Sequence, residues 1–333
     1  MLMFILPVLI ATTLFWAGWA SHTLWRAIPR SNADFELAGG GWNAPPRENP
    51  ASAFYEGSAL ARVLGAALRL IDALAPRWGT QSALGLFFTP LPWKFARRRS
   101  LPDRWETFAW RFESVNLAAY RRRALEPGRP IVLLVHGWAG SGAQMARLGD
   151  ALADAGFDPV LLDFPGHGHS GGWRSTLPQF SRAIFAAASR LGPFAGIVGH
   201  SLGAVAAMHA VARGLPAQRL VLVAPSASPA LFLRWFAGSF RLADSIPARM
   251  QRRIESREDT RLGEFEPEWL GPRIGQPTLV VHDEDDRIAP MAAAARVVSA
   301  LRAARLHPTR GLGHARVLDD ASVAEAVLDH LRR

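Results

Sequence analysis

The chain has 333 residues, 49% of them hydrophobic and 20% charged, a balance that excludes wholesale disorder and allows one large domain with extensions or two ordinary domains. It contains no cysteine, which excludes disulfide scaffolds, cysteine-based zinc or iron–sulfur sites and a thiol nucleophile. The formal net charge is +10, and because Lys94 is the sole lysine the excess is arginine, which is compatible with nucleic acid, with anionic lipid or with general arginine usage.

The N-terminal segment carries no charged side chain over residues 1–25 and is strongly apolar. About 20 helical residues span the hydrocarbon layer of a bilayer. Trp25 and Arg26 lie at the far end, where interfacial residues belong, whereas no basic residue precedes the apolar run as a cleaved signal peptide requires. We therefore predict a single-pass anchor over residues 1–28, with the catalytic domain cytoplasmic. A signal peptide with export and a buried core helix remain alternatives.

Residues 29–100 are predicted to be a linker followed by an amphipathic helical extension. The linker, over 31–57, contains glycine and proline clusters. Apolar residues between Leu60 and Ile71 then recur at helical spacing. This helix either docks on the core of the next domain or lies on a bilayer surface. The Arg97–Arg99 triplet is either a solvated turn or attracted to anionic headgroups.

From about residue 104 the pattern changes to short apolar runs. Two runs, around 104–113 and 115–121, are typical of antiparallel edge strands. Continuous runs, which indicate strands covered on both faces, follow at Ile131–Val135, Pro159–Leu162, Gly196–Val198, Leu220–Val223 and Thr278–Val281. Helical stretches separate the first four of these, at about 142–155, 177–191 and 202–213. Alternation of this kind predicts an α/β fold with a doubly wound, mostly parallel sheet.

The chemistry is indicated first by the G-x-S-x-G sequence of Gly199–Gly203, which lies directly between a buried strand and an alanine-rich helix. A serine on such a sharp turn presents its hydroxyl above the sheet, beside a helix N-terminus that favours developing negative charge. We therefore predict Ser201 as a nucleophile.

A serine hydroxyl needs a base, and the base needs an acid that orients it. In this fold class the chain order is serine, acid, histidine. His314, on a glycine-rich loop, is the predicted base. The loop after the last buried strand has four carboxylates in a row; Asp286 is the predicted acid, with Asp283 and Asp285 as alternatives.

Backbone N–H groups must stabilise the oxyanion of a tetrahedral intermediate. We predict that one is the N–H of Leu202, directly after the nucleophile, and the other the N–H of Trp138, in the glycine-rich turn after Ile131–Val135. The indole of Trp138 either walls an acyl pocket or packs on its own loop.

These residues make the chain similar to the α/β-hydrolase family. His136-Gly137-Trp138 resembles the oxyanion loop of that family, and Asp163–Ser170 resembles its D-x-P-G-H-G-x-S turn. Asp286 with Ala289-Pro290 resembles the acid loop, although Asp283 stands where glycine is usual. The resemblance covers about 104–226 and 274–333 and does not extend to residues 1–95.

The resemblance implies an α/β-hydrolase domain over 101–333, with a small helical lid over the nucleophile formed by an insert at about 227–273. An aromatic patch in this insert, between Leu231 and Phe240, either faces a hydrophobic substrate or packs on the core.

The predicted function is therefore that of a serine carboxylesterase or lipase-type hydrolase acting on a small hydrophobic ester, with a Ser201, Asp286 and His314 triad. Acyltransferase, peptidase or a catalytically silent tethered binding protein are alternatives, and an aspartate-dependent dehalogenase is disfavoured by Ser201. No cofactor or metal is predicted, since His167 and His169 lack a ligand set. No nucleic-acid partner is predicted either, because the arginines are scattered.

Overall fold

The computed structural model describes residues 59–90 and 101–333. The predicted anchor over 1–28, the linker and the Arg97–Arg99 triplet lie outside these residues. Within the described ranges, none of the helices is both long enough and apolar enough to cross a bilayer.

The centre of the fold is a single eight-stranded sheet with strand order β1-β2-β4-β3-β5-β6-β7-β8. Its strands are β1 Trp105–Phe112, β2 Val115–Arg122, β3 Ile131–Val135, β4 Asp158–Leu162, β5 Phe194–His200, β6 Ala217–Val223, β7 Thr278–Asp283 and β8 Ala304–Thr309. β1 and β2 form an antiparallel pair, β2 is antiparallel to β4, and all other neighbours are parallel. The prediction of a doubly wound, mostly parallel sheet with an antiparallel edge is confirmed.

The burial of the strands explains why their sequences differ. Every residue of β4 and β7 is buried, as continuous apolar runs require, because helices cover both faces of the sheet. Exposed and half-buried residues interrupt β1 at the edge. The parallel strands β3, β5, β6 and β7 end at the same edge of the sheet, which is where the predicted site residues follow.

The helices of the described residues are α1 Ala59–Leu74, α2 Pro76–Phe87, α3 Ala146–Asp154, α4 Leu177–Leu191, α5 Leu202–Ala212, α6 Pro229–Ser239, α7 Ser245–Glu258, α8 Pro267–Leu270, α9 Met291–Ala300, α10 Gly313–Arg316 and α11 Ala321–Arg332. The helix predicted at 177–191 has these bounds, because Thr176 caps its first turn by accepting the N–H of Gln179 and Gly192 follows its end. The stretch predicted at 142–155 begins instead with a 3₁₀ turn, Gly142–Met145.

The insert between β6 and β7 contains α6, α7 and α8, and the amphipathic helix α1 docks on it together with α2. One apolar cluster, called here the insert cluster, joins residues from both segments: Ala61, Leu68, Ala83, Leu84, Phe88, Leu233, Phe236, Ala237, Phe240, Leu242, Ile246, Met250, Ile254 and Leu262. Polar contacts support it, since Arg69 Nη1 donates to the carbonyl of Phe240 (2.9 Å) and Arg249 bonds Asp72 and Thr80. The amphipathic helix thus docks on the protein, as one of its two interpretations predicted, and the surface that it contacts is the insert.

The aromatic patch of the insert is divided between two environments. Leu233, Phe236 and Phe240 are buried in the insert cluster. Trp235 packs instead with Ala227 and Ala293, and Leu231 and Phe232 are partly buried beside them. Most of the patch therefore packs inside the protein, as in the second of the two sequence interpretations.

Candidate active site

Ser201 lies on a strained turn between β5 and α5. Its backbone has φ 54° and ψ −121°, a conformation that side-chain-bearing residues rarely adopt. The Ser201 N–H donates to the carbonyl of Val223 (2.9 Å), which ties the turn to the end of β6. Glycine is required at position 203, because a Cβ there would lie 2.4 Å from the carbonyl oxygen of His136. The turn thus places the serine at the carboxyl edge of the sheet, at the N-terminus of α5.

The loop after β3 lies against Ser201. A Cβ added to Gly137 would be 2.8 Å from the Cβ of Ser201 and 3.3 Å from its Oγ, so only a glycine permits this approach. Trp138, whose N–H is a predicted oxyanion donor, follows directly, and Ala139 has a positive φ of 54°. The other predicted donor, Leu202, is the first residue of α5. The structure therefore brings both segments that carry the predicted donors beside the serine.

The Trp138 side chain packs on its surroundings. Its ring lies 5.2 Å from that of His167 and 6.1 Å from that of Phe180, measured between centroids. The side chain is half-buried against the core on one side of the sheet. These contacts are with the turn after β4 and with helix α4, and not with the loop that carries Trp138.

The turn after β4 holds the loop after β3 in place. His167 accepts the N–H of Ala139 at Nε2 (3.1 Å), while its Nδ1 bonds the carbonyl of Pro165 (2.8 Å). The buried carboxylate of Asp163 accepts the N–H of Gly142 (2.6 Å) and the N–H of His169 (2.7 Å). His167 thus makes the backbone bonds expected of a structural histidine. In the part of the chain that the structure describes, no group of three or more His, Asp or Glu residues is arranged so that it could hold a metal ion.

Asp286 and His314 form a hydrogen-bonded pair. His314 Nδ1 donates to Asp286 Oδ2 at 2.7 Å, and the side chain of Asp286 is fully buried. The other carboxylate oxygen, Oδ1, accepts the N–H groups of Ile288 (2.8 Å) and Ala289 (2.9 Å). Burial opposes ionisation of Asp286, but the contact with His314 and these two N–H groups outweigh it and lower the pKa of the carboxyl below its ordinary value.

The other carboxylates of the acid loop bind the backbone of the loop that carries His314. Asp283 is buried, and its Oδ2 accepts the Thr309 hydroxyl (2.8 Å) and the Leu312 N–H (3.0 Å). Asp285 Oδ2 accepts the N–H of Gly311 (3.0 Å). Burial again opposes ionisation of Asp283, yet the N–H of Gly313 and these donors lower its pKa. Neither Asp283 nor Asp285 is bonded to the imidazole of His314.

Two buried histidines of the site were not singled out by the sequence reasoning. His200 Nε2 bonds the backbone carbonyl of His314 (2.9 Å), and burial, reinforced by the charge of His314, lowers its pKa to about 3. His282 Nε2 bonds the carbonyl of Ala289 (2.9 Å) and lies 3.9 Å from Asp286 Oδ2. The signal for His200 is its place inside the G-x-S-x-G sequence, whereas nothing local distinguishes His282 from an ordinary strand residue.

Comparisons with known proteins identify the same fold. A family model described as the alpha/beta hydrolase fold matches residues 130–257. The pimeloyl-[acyl-carrier protein] methyl ester esterase of Stenotrophomonas maltophilia is 28% identical over 242 residues, which cover 60% of this chain and 92% of that protein.

Solved structures show the same fold at lower identity. Est1E from Butyrivibrio proteoclasticus superimposes with a TM-score of 0.54 at 18% identity, over 68% of this chain and 99% of that one. The thioesterase domain from the curacin biosynthetic pathway superimposes with a TM-score of 0.51 at 20% identity, over 69% of this chain and 99% of that domain.

Proposed function

We propose that the chain, which has the α/β-hydrolase fold, is a serine hydrolase that cleaves carboxylic esters through an acyl-enzyme. The observation that carries this proposal is the bond between Asp286 Oδ2 and His314 Nδ1, made at the sheet edge where Ser201 occupies its strained turn. An acid that holds Nδ1–H leaves Nε2 of the same imidazole as a base for a serine hydroxyl.

In the proposed reaction, Ser201 Oγ attacks the ester carbonyl while its proton passes to His314 Nε2. The N–H groups of Leu202 and Trp138 donate to the oxyanion of the tetrahedral intermediate. Collapse of this intermediate breaks the bond to the alcohol, which takes its proton from His314 and leaves Ser201 acylated. Water, deprotonated by His314, then attacks the acyl-enzyme and releases the carboxylic acid.

We propose that the acyl group of the substrate is apolar. The loop after β6 lies beside the nucleophile, since the N–H of Ser226 donates to the carbonyl of Ser201 (3.4 Å). Ala227 follows and packs with Leu231 and Phe232, which are partly buried and thus retain some accessible apolar surface. The Stenotrophomonas relative is named for a methyl ester, which supports an ester as the scissile group. Thioester cleavage uses the same steps with a thiol as the leaving group, and acyl transfer replaces the attacking water by another nucleophile.

The direct test is a fluorophosphonate probe combined with a panel of p-nitrophenyl esters of increasing acyl length. We expect the wild-type chain and the matched exposed-serine variant Ser299→Ala to be labelled and active, and Ser201→Ala to be neither. Labelling that survives Ser201→Ala refutes the nucleophile. A folded wild-type chain that neither reacts with the probe nor hydrolyses any ester supports the silent binding protein instead.

We also propose that the apolar segment over residues 1–28 anchors the enzyme in a membrane. This rests on the uncharged sequence of residues 1–25. An alkaline wash of the membrane fraction is the test: retention of the chain supports the anchor, and full release refutes it.

A further inference from the structure

Helix α1 has a second apolar side that no described residue covers. Its inner side lies in the insert cluster. On the opposite side Val63, Leu70 and Leu74 are 59%, 62% and 78% exposed, and we call these three residues the outer face of α1. They share one side of the helix because intervals of 7 and 11 residues return to the same direction at 3.6 residues per turn.

This exposure is concentrated at one place on the surface. Six large hydrophobic side chains of the described residues are exposed, and four of them lie on α1 or the first turn of α2. The other two stand apart in the chain, since Trp173 lies in the loop before α4 and Leu306 on β8. Single exposed apolar residues are ordinary, whereas a contiguous group marks a contact surface.

The charges around the outer face indicate what it contacts. Arg62 and Arg77 belong to the exposed residues of this region, whereas Arg69 donates inward to the carbonyl of Phe240. The one carboxylate of α1, Asp72, is bonded inward to Arg249. An apolar stripe flanked by arginine and free of exposed carboxylates matches the interface of an anionic bilayer. Pairing with a second copy of the same face is disfavoured, because it would bring like charges together.

We propose that the outer face of α1 lies on the surface of a lipid bilayer with anionic headgroups. Because the inner side of the same helix packs on α6 and α7, this contact holds the insert at the membrane surface. The proposal does not depend on ester hydrolysis or on the acid–base roles given above. It is also separate from the predicted anchor, since it concerns residues 63–74 and not residues 1–28.

A site-specific label tests the proposal in the full chain. The chain has no cysteine, so Leu70→Cys and the control Leu306→Cys, which is 38% exposed on β8, each introduce a single thiol. Each variant is labelled with an environment-sensitive dye and reconstituted into vesicles of phosphatidylglycerol and phosphatidylcholine. Both variants carry the same residues 1–58, so any anchoring by that segment is common to them.

We expect the dye at position 70 to lose most of its fluorescence to spin-labelled lipid and to be shielded from aqueous iodide, while the dye at position 306 shows the reverse. Access to iodide at position 70 overturns the proposal. Shielding from both quenchers also overturns it, because another part of the chain or a second copy then covers the face. Equal quenching by spin-labelled lipid at positions 70 and 306 also overturns the proposal. If vesicles of phosphatidylcholine alone give the full effect, the part assigned to the arginines is wrong.

Discussion

The substitution Asp286→Asn tests the proposed acid more sharply than its deletion does, because the structure fixes how the asparagine must orient. Two N–H groups, those of Ile288 and Ala289, donate to Oδ1. An amide side chain satisfies them only if its oxygen occupies this position. Its NH₂ group then faces His314 Nδ1, where the carboxylate oxygen Oδ2 stood at 2.7 Å. A donor in that position requires Nδ1 to become an acceptor, so the proton moves to Nε2.

With the proton on Nε2, His314 cannot accept the proton of Ser201. We expect kcat to fall by about 10³–10⁴-fold, which corresponds to roughly 4–5.5 kcal/mol of transition-state stabilisation. KM should change little, because the substituted group does not touch substrate. The measurement is steady-state hydrolysis of a p-nitrophenyl ester, together with a thermal melt to establish that the variant is folded.

The neighbouring substitution Asp285→Asn is the matched control. Asp285 is exposed and accepts a backbone N–H without reaching the imidazole, so its variant should retain kcat within a few-fold. A folded Asp286→Asn variant with less than about a tenfold loss of kcat contradicts the tautomer argument. A larger loss for Asp285→Asn than for Asp286→Asn would transfer the role of acid to Asp285.

Four further outcomes are expected. Ser201→Gly should be inactive yet more stable than Ser201→Ala by about 1 kcal/mol in chemical denaturation, because glycine tolerates φ 54°; equal stabilities would show that the turn is not strained. Gly203→Ala should destabilise the fold by at least about 2 kcal/mol through its overlap with backbone, whereas Gly263→Ala, which meets open space, should be neutral; the two melting temperatures decide. Trp138→Pro, which removes one predicted oxyanion donor, should lower kcat by about 10²–10³-fold while Trp138→Phe retains it, and similar losses in both variants would assign the effect to the side chain. His200, whose pKa is lowered to about 3, takes up a proton between pH 6.5 and 3 only on unfolding. It should therefore decrease the free energy of unfolding by up to about 1.4 kcal/mol for each pH unit by which the pH is lowered in this window. An unchanged pH slope of the unfolding free energy in His200→Asn would contradict this.

The parts of the fold that depend on local sequence could be predicted. The runs that became β3, β4 and β7 are continuously apolar because both faces of the sheet are covered, and that requirement is visible in the sequence. The surroundings of Ser201 are equally local, since a strand, a tight turn and a helix N-terminus follow one another within a few residues. The acid and the base were predicted from the chain order, which left three carboxylates as candidates for the acid.

What could not be predicted depends on contacts between distant segments. Which carboxylate meets His314 is decided by how a loop after β7 packs on a loop after β8, and no spacing in the sequence records that. The role of Asp283 in binding the Leu312 N–H has the same origin, although its presence where glycine is usual was a visible signal. Whether the patch around Phe236 faces a substrate or packs on the protein could not be decided from the sequence, because its partners in α1 and α2 are about 150 residues away in the chain.

Because α1 and α2 pack on the insert, the part of the chain that folds as one unit is longer than the part that carries the predicted site residues. A chain begun at Leu101 would keep every predicted site residue, yet Leu233, Phe236 and Met250 would lose the apolar residues that α1 and α2 contribute to the insert cluster. Such a shortened protein would gain a newly wetted surface on α6 and α7 and a tendency to aggregate, even though its chemistry lies elsewhere. The segment that matches other hydrolases is therefore shorter than the segment that has to fold together. A soluble catalytic fragment has to begin before α1.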